Sequence, residues 1–208
     1  RHPTSHLLCC VSSVPRGIAM LPRLVCGTAR GALVVHQYAA GRAVARVELA
    51  EGGAASNGRP AGAGNTVEAV NAVDVELESR TAYPDDGDVD LVLRTATPAT
   101  FALQLRVPDG AERFTAEVGG RSHAGSAGTM LAVERAWSGT TTVRVRMTLP
   151  ARIAPAPRLA DDALLVYRGP RLHVLDAAAN PDVPWPHRVA LADDAVPVPT
   201  ADRKSTRL

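Results

Sequence analysis

Val73-Asp74-Val75-Glu76-Leu77-Glu78-Ser79 alternates strictly, with Val and Leu on one face and acids on the other. A period of two belongs to a strand that is dry on one side and wet on the other, because successive side chains of an extended chain point to opposite faces. Val89-Asp90-Leu91-Val92-Leu93-Arg94, Phe101-Ala102-Leu103-Gln104-Leu105-Arg106-Val107 and Thr141-Thr142-Val143-Arg144-Val145-Arg146-Met147 repeat the pattern. Turn-forming residues separate them: Asp85-Asp86-Gly87, Pro108-Asp109-Gly110, Gly119-Gly120 and Ser138-Gly139. Short alternating strands at this spacing predict a mainly β fold, an antiparallel β-sandwich with one wet face per sheet. The charged residues on the strands are then most simply its solvated faces.

Outward from this centre the pattern changes. Leu24-Val25-Cys26 and Leu33-Val34-Val35-His36-Gln37-Tyr38 read as strands around a turn at Ala29-Arg30-Gly31, and residues 43–49 as another. Residues 51–64 are Gly, Ala, Ser, Asn and Pro, a loop or insertion with no core of its own. Residues 10–23 read as a helix: Ser12 or Ser13 can cap it, Pro15 suits a first turn, Ile18 and Leu21 supply an apolar face, and Pro22 ends it. Residues 163–174, broken by Arg168-Gly169-Pro170, read as a closing pair of strands. From residue 177 onward Pro and Ala predict an irregular tail, in which Trp185 is a packing anchor. The last residues, from Asp202 to Leu208, read as an artefact of sequencing or cloning. The chain opens on Arg1 with no leader pattern, which suggests a piece of a longer protein.

Composition narrows the function. The 208 residues suffice for one large or two small domains. Apolar residues make up 46% but aromatics only 3%, so the core has to rest on Val, Leu and Ala. A formal net charge of +2 argues against nucleic acid or an anionic membrane as partner. No apolar run reaches the ~18 residues a bilayer needs. The six histidines are scattered without metal-ligand spacing, and no phosphate-binding Gly loop, HExxH, CxxC or GxSxG occurs. The three cysteines, Cys9, Cys10 and Cys26, make a poor disulfide framework. Reduced thiols are expected, and with them a cytoplasmic setting.

One feature can carry chemistry. Cys9-Cys10 stands at the start of the expected helix, where unpaired N–H groups stabilise a thiolate. Two thiolates can share a Zn²⁺ if further ligands come from elsewhere. The plainer reading is two buried small hydrophobes.

The stretch Cys9-Cys10-Val11-Ser12-Ser13-Val14-Pro15-Arg16 resembles the Cys-Cys-x-x-Asn-x-x-Arg helix of the β-L-arabinofuranosidases, glycoside hydrolase family 127. Thr81-Ala82-Tyr83-Pro84 is similar to the family's T-x-Y-P element, and Leu105-Arg106-Val107-Pro108 to its L-R-I-P strand. Val118-Gly119-Gly120 stands where V-N-G is usual, Arg135-Ala136-Trp137-Ser138-Gly139 resembles R-x-W-x-x-G-D in outline, and Tyr167-Arg168-Gly169-Pro170 resembles the R-G-P near the domain's end. Ser13, Asp109 and Thr140 depart from the family's Asn, Trp and Asp. The resemblance implies the C-terminal portion of a bacterial retaining glycosidase, in which an (α/α)6 barrel precedes β-sandwich domains. It implies that residues 1–23 end the barrel, that residues 24–176 are accessory sandwich and that residues 177–208 are tail. It further implies that Cys9 is nucleophile and zinc ligand, and that Cys10 is a second zinc ligand. The other ligands and the Glu acid/base would lie upstream. The partner so implied is an arabinose-containing oligosaccharide or glycan, with a homodimer as an assembly to be expected. Tyr83, Trp137 and the Arg106-Val107-Pro108 corner read as core and turn residues rather than sugar contacts. The alternative is a non-catalytic module, either carbohydrate-binding or supporting a barrel.

Overall fold

The computed structural model describes residues 8–29, 31–49, 71–155 and 163–174, with a few more between 181 and 197; on the first helix it describes side chains from residue 13 onward, Pro22 excepted. The loop at residues 51–64, Trp185 and the terminal residues 202–208 lie outside the described residues.

The described residues form one helix, α1 (Leu8–Val25), and eleven strands: β1 (Cys26–Ala29), β2 (Ala32–Val35), β3 (Gly41–Glu48), β4 (Ala72–Thr81), β5 (Asp88–Arg106), β6 (Arg113–Val118), β7 (Arg121–Ala124), β8 (Met130–Thr148), β9 (Ala151–Pro155), β10 (Leu164–Arg168) and β11 (Arg171–His173). The fold is mainly β, as the alternating pattern requires. Two elements organise it. β5 and β8 pair antiparallel almost from end to end, Asp88 opposite Arg146 and Arg106 opposite Met130. The register breaks once, between Thr95 and Ala99. Pro98 sits in that break and has no N–H to give a ladder. On the facing strand Gly139 adopts φ of 61°. The sequence read these places as ends of separate strands, with Ser138-Gly139 as a turn; instead Pro98 and Gly139 bend two continuous strands.

The bend gives the long pair two sets of neighbours. Its first half, β5 from Asp88 to Thr95, has β4 alongside and then β3. There β8 carries β6 and β7 on its other side. The second half of β5 pairs with β2, which pairs with β1. The inward residues of both halves form one core: Val75 and Leu77, Val89, Leu91 and Leu93, Leu103 and Leu105, Phe114 and Ala116, Val133, Val143 and Val145. One pairing departs from the antiparallel expectation: β2 runs parallel to β5. Parallel neighbours need a long crossover, and here β3 and β4 are the crossover. A small antiparallel sheet, β11-β10-β9, follows the main one. It is tied back by Gly169 N–H to the Pro150 carbonyl at 3.2 Å and by the Arg171–Asp85 ion pair at 2.6 Å.

Among the described residues, the few aromatics hold key contacts. Trp137 is 1% exposed, stacks on Phe101 at 5.5 Å and donates its indole N–H to the Phe101 carbonyl at 2.9 Å. Tyr38, also buried, donates its hydroxyl to the Arg106 carbonyl at 2.7 Å. Gly87 permits a close crossing: a Cβ there would stand 1.7 Å from the Met147 carbonyl oxygen, and the Gly87 carbonyl accepts the Met147 N–H at 3.0 Å.

α1 differs in detail from its sequence reading. It begins at Leu8, so Ser12 and Ser13 lie inside it rather than at its cap. It also passes Pro22, and Leu24 and Val25, read as strand, are its last turn. The reason is a cap formed at a distance. A helix leaves its final carbonyls unpaired, and here the Val25 carbonyl accepts N–H groups from both His36 (2.9 Å) and Gln37 (3.1 Å).

The outer face of β3–β4–β5 carries a buried charge. Glu78, 8% exposed, faces Arg80 at 2.9 Å, Arg94 at 3.0 Å and Arg42 at 3.5 Å. Hydrogen bonds from Arg80 and then Arg94 hold its carboxyl down to about 2, against an ordinary 4.5.

Three outcomes follow. Trp137→Ala should cost about 3–5 kcal/mol in chemical denaturation, the usual range for deleting a buried Trp. Gly87→Ala should also destabilise, since its obstacle is backbone and cannot swing away. Because the Glu78 pKa is lowered by folding, its contribution is complete above pH 4.5 and fades as pH falls towards 2. Thermal unfolding should therefore show Glu78→Gln less stable than the parent at neutral pH, with the gap closing over that acid range; a gap constant down to pH 2 would contradict the assignment.

Candidate functional site

Cys9 and Cys10 are the second and third residues of α1, inside its first turn. The first four N–H groups of a helix have no partner within it, so the backbone places both cysteines at the positive end of the dipole. Their side chains lie outside the described ones. Cys26, by contrast, opens β1, is half-buried against the core, and burial pushes its thiol up. That is the behaviour of a small hydrophobe. Among the described residues no group of three His, Cys, Asp or Glu could hold a metal ion. No described helix is long and apolar enough to cross a membrane.

The rest of α1 makes few contacts. Val14, Ile18 and Leu21 recur on one face and are 60%, 61% and 56% exposed. Val25 continues that face and is half-buried. Between this stripe and β3–β4 runs an apolar groove of about 420 Å³, lined by Ile18, Leu21, Val25, Ala43, Leu77 and Ser79 among others. The Ser79 hydroxyl is buried without a hydrogen-bond partner.

A second hollow, about 580 Å³, opens between the loop after β2, the turn after β4 and the start of β11. Gln37, Thr81, Tyr83, Pro84 and Arg171 line it. Tyr83 meets Tyr38 edge-on, centroids 5.7 Å apart and planes at 73°. Thr81 holds the turn: its hydroxyl accepts the Tyr83 N–H at 2.8 Å and donates to the Asp88 carbonyl at 2.7 Å. So Tyr83 is a corner residue, as read from the sequence, but it also forms a cleft wall. Trp137 is core alone. Gln37, Asp85 and Arg171 were not singled out from the sequence. They lie far apart along the chain, and only the packing of the small sheet against the turn after β4 unites them.

Comparisons with known proteins agree with this architecture. Residues 63–150 match the family described as Beta-L-arabinofuranosidase, GH127 middle domain. Among curated proteins no match is found. Solved structures are similar in fold. A GH127 β-L-arabinofuranosidase from Geobacillus stearothermophilus T6 has a TM-score of 0.63 at 22% identity, over 83% of this chain and 24% of its own. A protein described as a glycoside hydrolase gives 0.60 at 20%, over 83% and 27%. A GH127 β-arabinofuranosidase gives 0.60 at 22%, again over 83% and 27%. The chain thus spans about a quarter of the length of these structures. Over the segment that organises its core, this chain is similar to the middle domain of the β-L-arabinofuranosidase family, glycoside hydrolase family 127.

Proposed function

We propose that this chain is the C-terminal portion of a retaining glycosidase acting on β-L-arabinofuranosides or related sugars, and that α1 is the last part of its catalytic (α/α)6 barrel. The observation that carries the reading is α1 itself. It is an 18-residue helix with two prolines and an apolar stripe left largely bare. Such a helix is marginal in water and needs a partner for that stripe. Other barrel helices would supply one.

Cys9 is the proposed nucleophile. Its sulfur would attack the anomeric carbon as the leaving oxygen departs, and water would later free the sugar with overall retention. Two adjacent thiolates are a soft donor pair that suits zinc, and they are half of a tetrahedral set. Bound there, the metal would keep both thiols deprotonated. The described residues offer no third ligand beside them, so the remaining ligands belong to other parts of the protein. The same holds for the acid/base carboxyl: the one carboxylate buried among the described residues, Glu78, is locked between arginines on the sheet's outer face. A nucleophile that must stay reduced favours a cytoplasmic setting.

A second reading is a non-catalytic module that binds a glycan or braces a barrel. The absence of a matched acid/base among the described residues favours it for the chain in isolation.

Two measurements test the proposal. The isolated chain should not hydrolyse a nitrophenyl β-L-arabinofuranoside at a useful rate, because general acid–base assistance worth about 10²–10⁴-fold is missing; clear turnover would refute this. In the full-length protein, Cys9→Ser should abolish turnover, Cys10→Ser should loosen bound zinc, and Cys26→Ser should leave most activity. Near-parent turnover by the Cys9→Ser protein, or a parent that never holds zinc, would return the pair to the role of buried structural cysteines.

A further inference from the structure

The hollow beside Tyr83 takes no part in the chemistry assigned to Cys9. One of its walls begins at Gln37, whose N–H caps the C-terminal end of α1 at Val25. From there to Cys9 the helix rises roughly 24 Å at 1.5 Å per residue. A sugar ring in this cleft is therefore out of reach of a reaction at Cys9.

The lining has two characters. Half-buried Tyr83 and Pro84 give an apolar wall, and Tyr38 behind fixes the Tyr83 ring. Against it stand planar polar groups: the exposed Gln37 amide and the Arg171 guanidinium, which reaches over from the small sheet to Asp85 at 2.6 Å. Sugars present the same two characters. Their C–H faces cover aromatic rings, and their neighbouring hydroxyls match the forked geometry of carboxylate, amide and guanidinium. The ion pair is neutral in sum, which suits an uncharged ligand. It also forms before any ligand arrives, so little ordering remains to be done on binding. About 580 Å³ lies within the roughly 300–1,000 Å³ of small-ligand sites.

We infer that this cleft is a carbohydrate-binding subsite distinct from the reacting centre, and that it takes a neutral pentofuranosyl oligosaccharide. The sugar class rests on the function proposed above; the location rests on the cleft. The site would hold a distant part of the glycan while another residue of it is cleaved.

The test is a titration of the purified chain, followed by NMR, with an arabinofuranosyl trisaccharide and, separately, cellotriose. Saturable binding of the arabinofuranosyl probe is expected, weakened at least tenfold by Arg171→Ala and by Gln37→Ala, both of which line the cleft. Gln37 is exposed, so its variant guards against loss of folding as the cause. No saturable binding, or binding indifferent to both cleft variants, would overturn the subsite. Binding of cellotriose alone would overturn the sugar class. Cleft binding in a protein whose full-length form cannot turn over arabinofuranosides would sink the nucleophile assignment and leave this site standing; turnover without cleft binding would sink this site alone.

Discussion

The antiparallel pairing of β5 with β8 is the constraint on which the rest depends. These are the two longest strands, and every other strand of the main sheet except β1, β3 and β7 is hydrogen-bonded directly to one of them. The bend between Thr95 and Ala99 lets one ladder serve two sets of neighbours, so a single core forms beneath both. Trp137 and Phe101 stack just past that bend, and the indole N–H ties the two strands there. A chain this poor in aromatics has no substitute for that contact.

The β-face is complete, whereas α1 is not. Among the described residues its packing neighbours are few, its apolar stripe lines an open groove beside β3 and β4, and N–H groups of His36 and Gln37 end it at Val25. Folding alone gives no reason to keep such a stripe apolar. A partner surface does, and a catalytic barrel is a partner that would also give Cys9 and Cys10 their place. The outer sheet face needs no such partner. Its charges answer one another across strands, as Glu78 with Arg42, Arg80 and Arg94, and Asp90 with Arg146.

Much of this was legible in the sequence. Period-two alternation is local, and it gave the strand faces of β4, β5 and β8 and the buried sides of Val75, Leu91 and Val143. The resemblance in Thr81-Ala82-Tyr83-Pro84, Leu105-Arg106-Val107-Pro108 and Trp137 pointed to the family. What stayed hidden depends on distant partners. Pro98 and Gly139 look like strand ends unless their strands are known to face each other. The end of α1 is set by His36 and Gln37, and no helix-stop rule sees a cap formed from beyond the next strand. The parallel contact of β2 with β5 comes from the crossover through β3 and β4. The Asp85–Arg171 cleft joins residues whose proximity exists only once the small sheet has packed.

If Cys9 and Cys10 serve a zinc-thiolate glycosidase, as proposed, the acid/base Glu and the other zinc ligands have to come from elsewhere in the full-length protein. Sequencing the reading frame upstream of Arg1 tests it most directly. The expected result is several hundred residues of helix-rich sequence that contain a Glu and, shortly before Arg1, a Glu-x-Cys. An upstream frame without that pair would contradict it and leave a sandwich module with no catalytic partner.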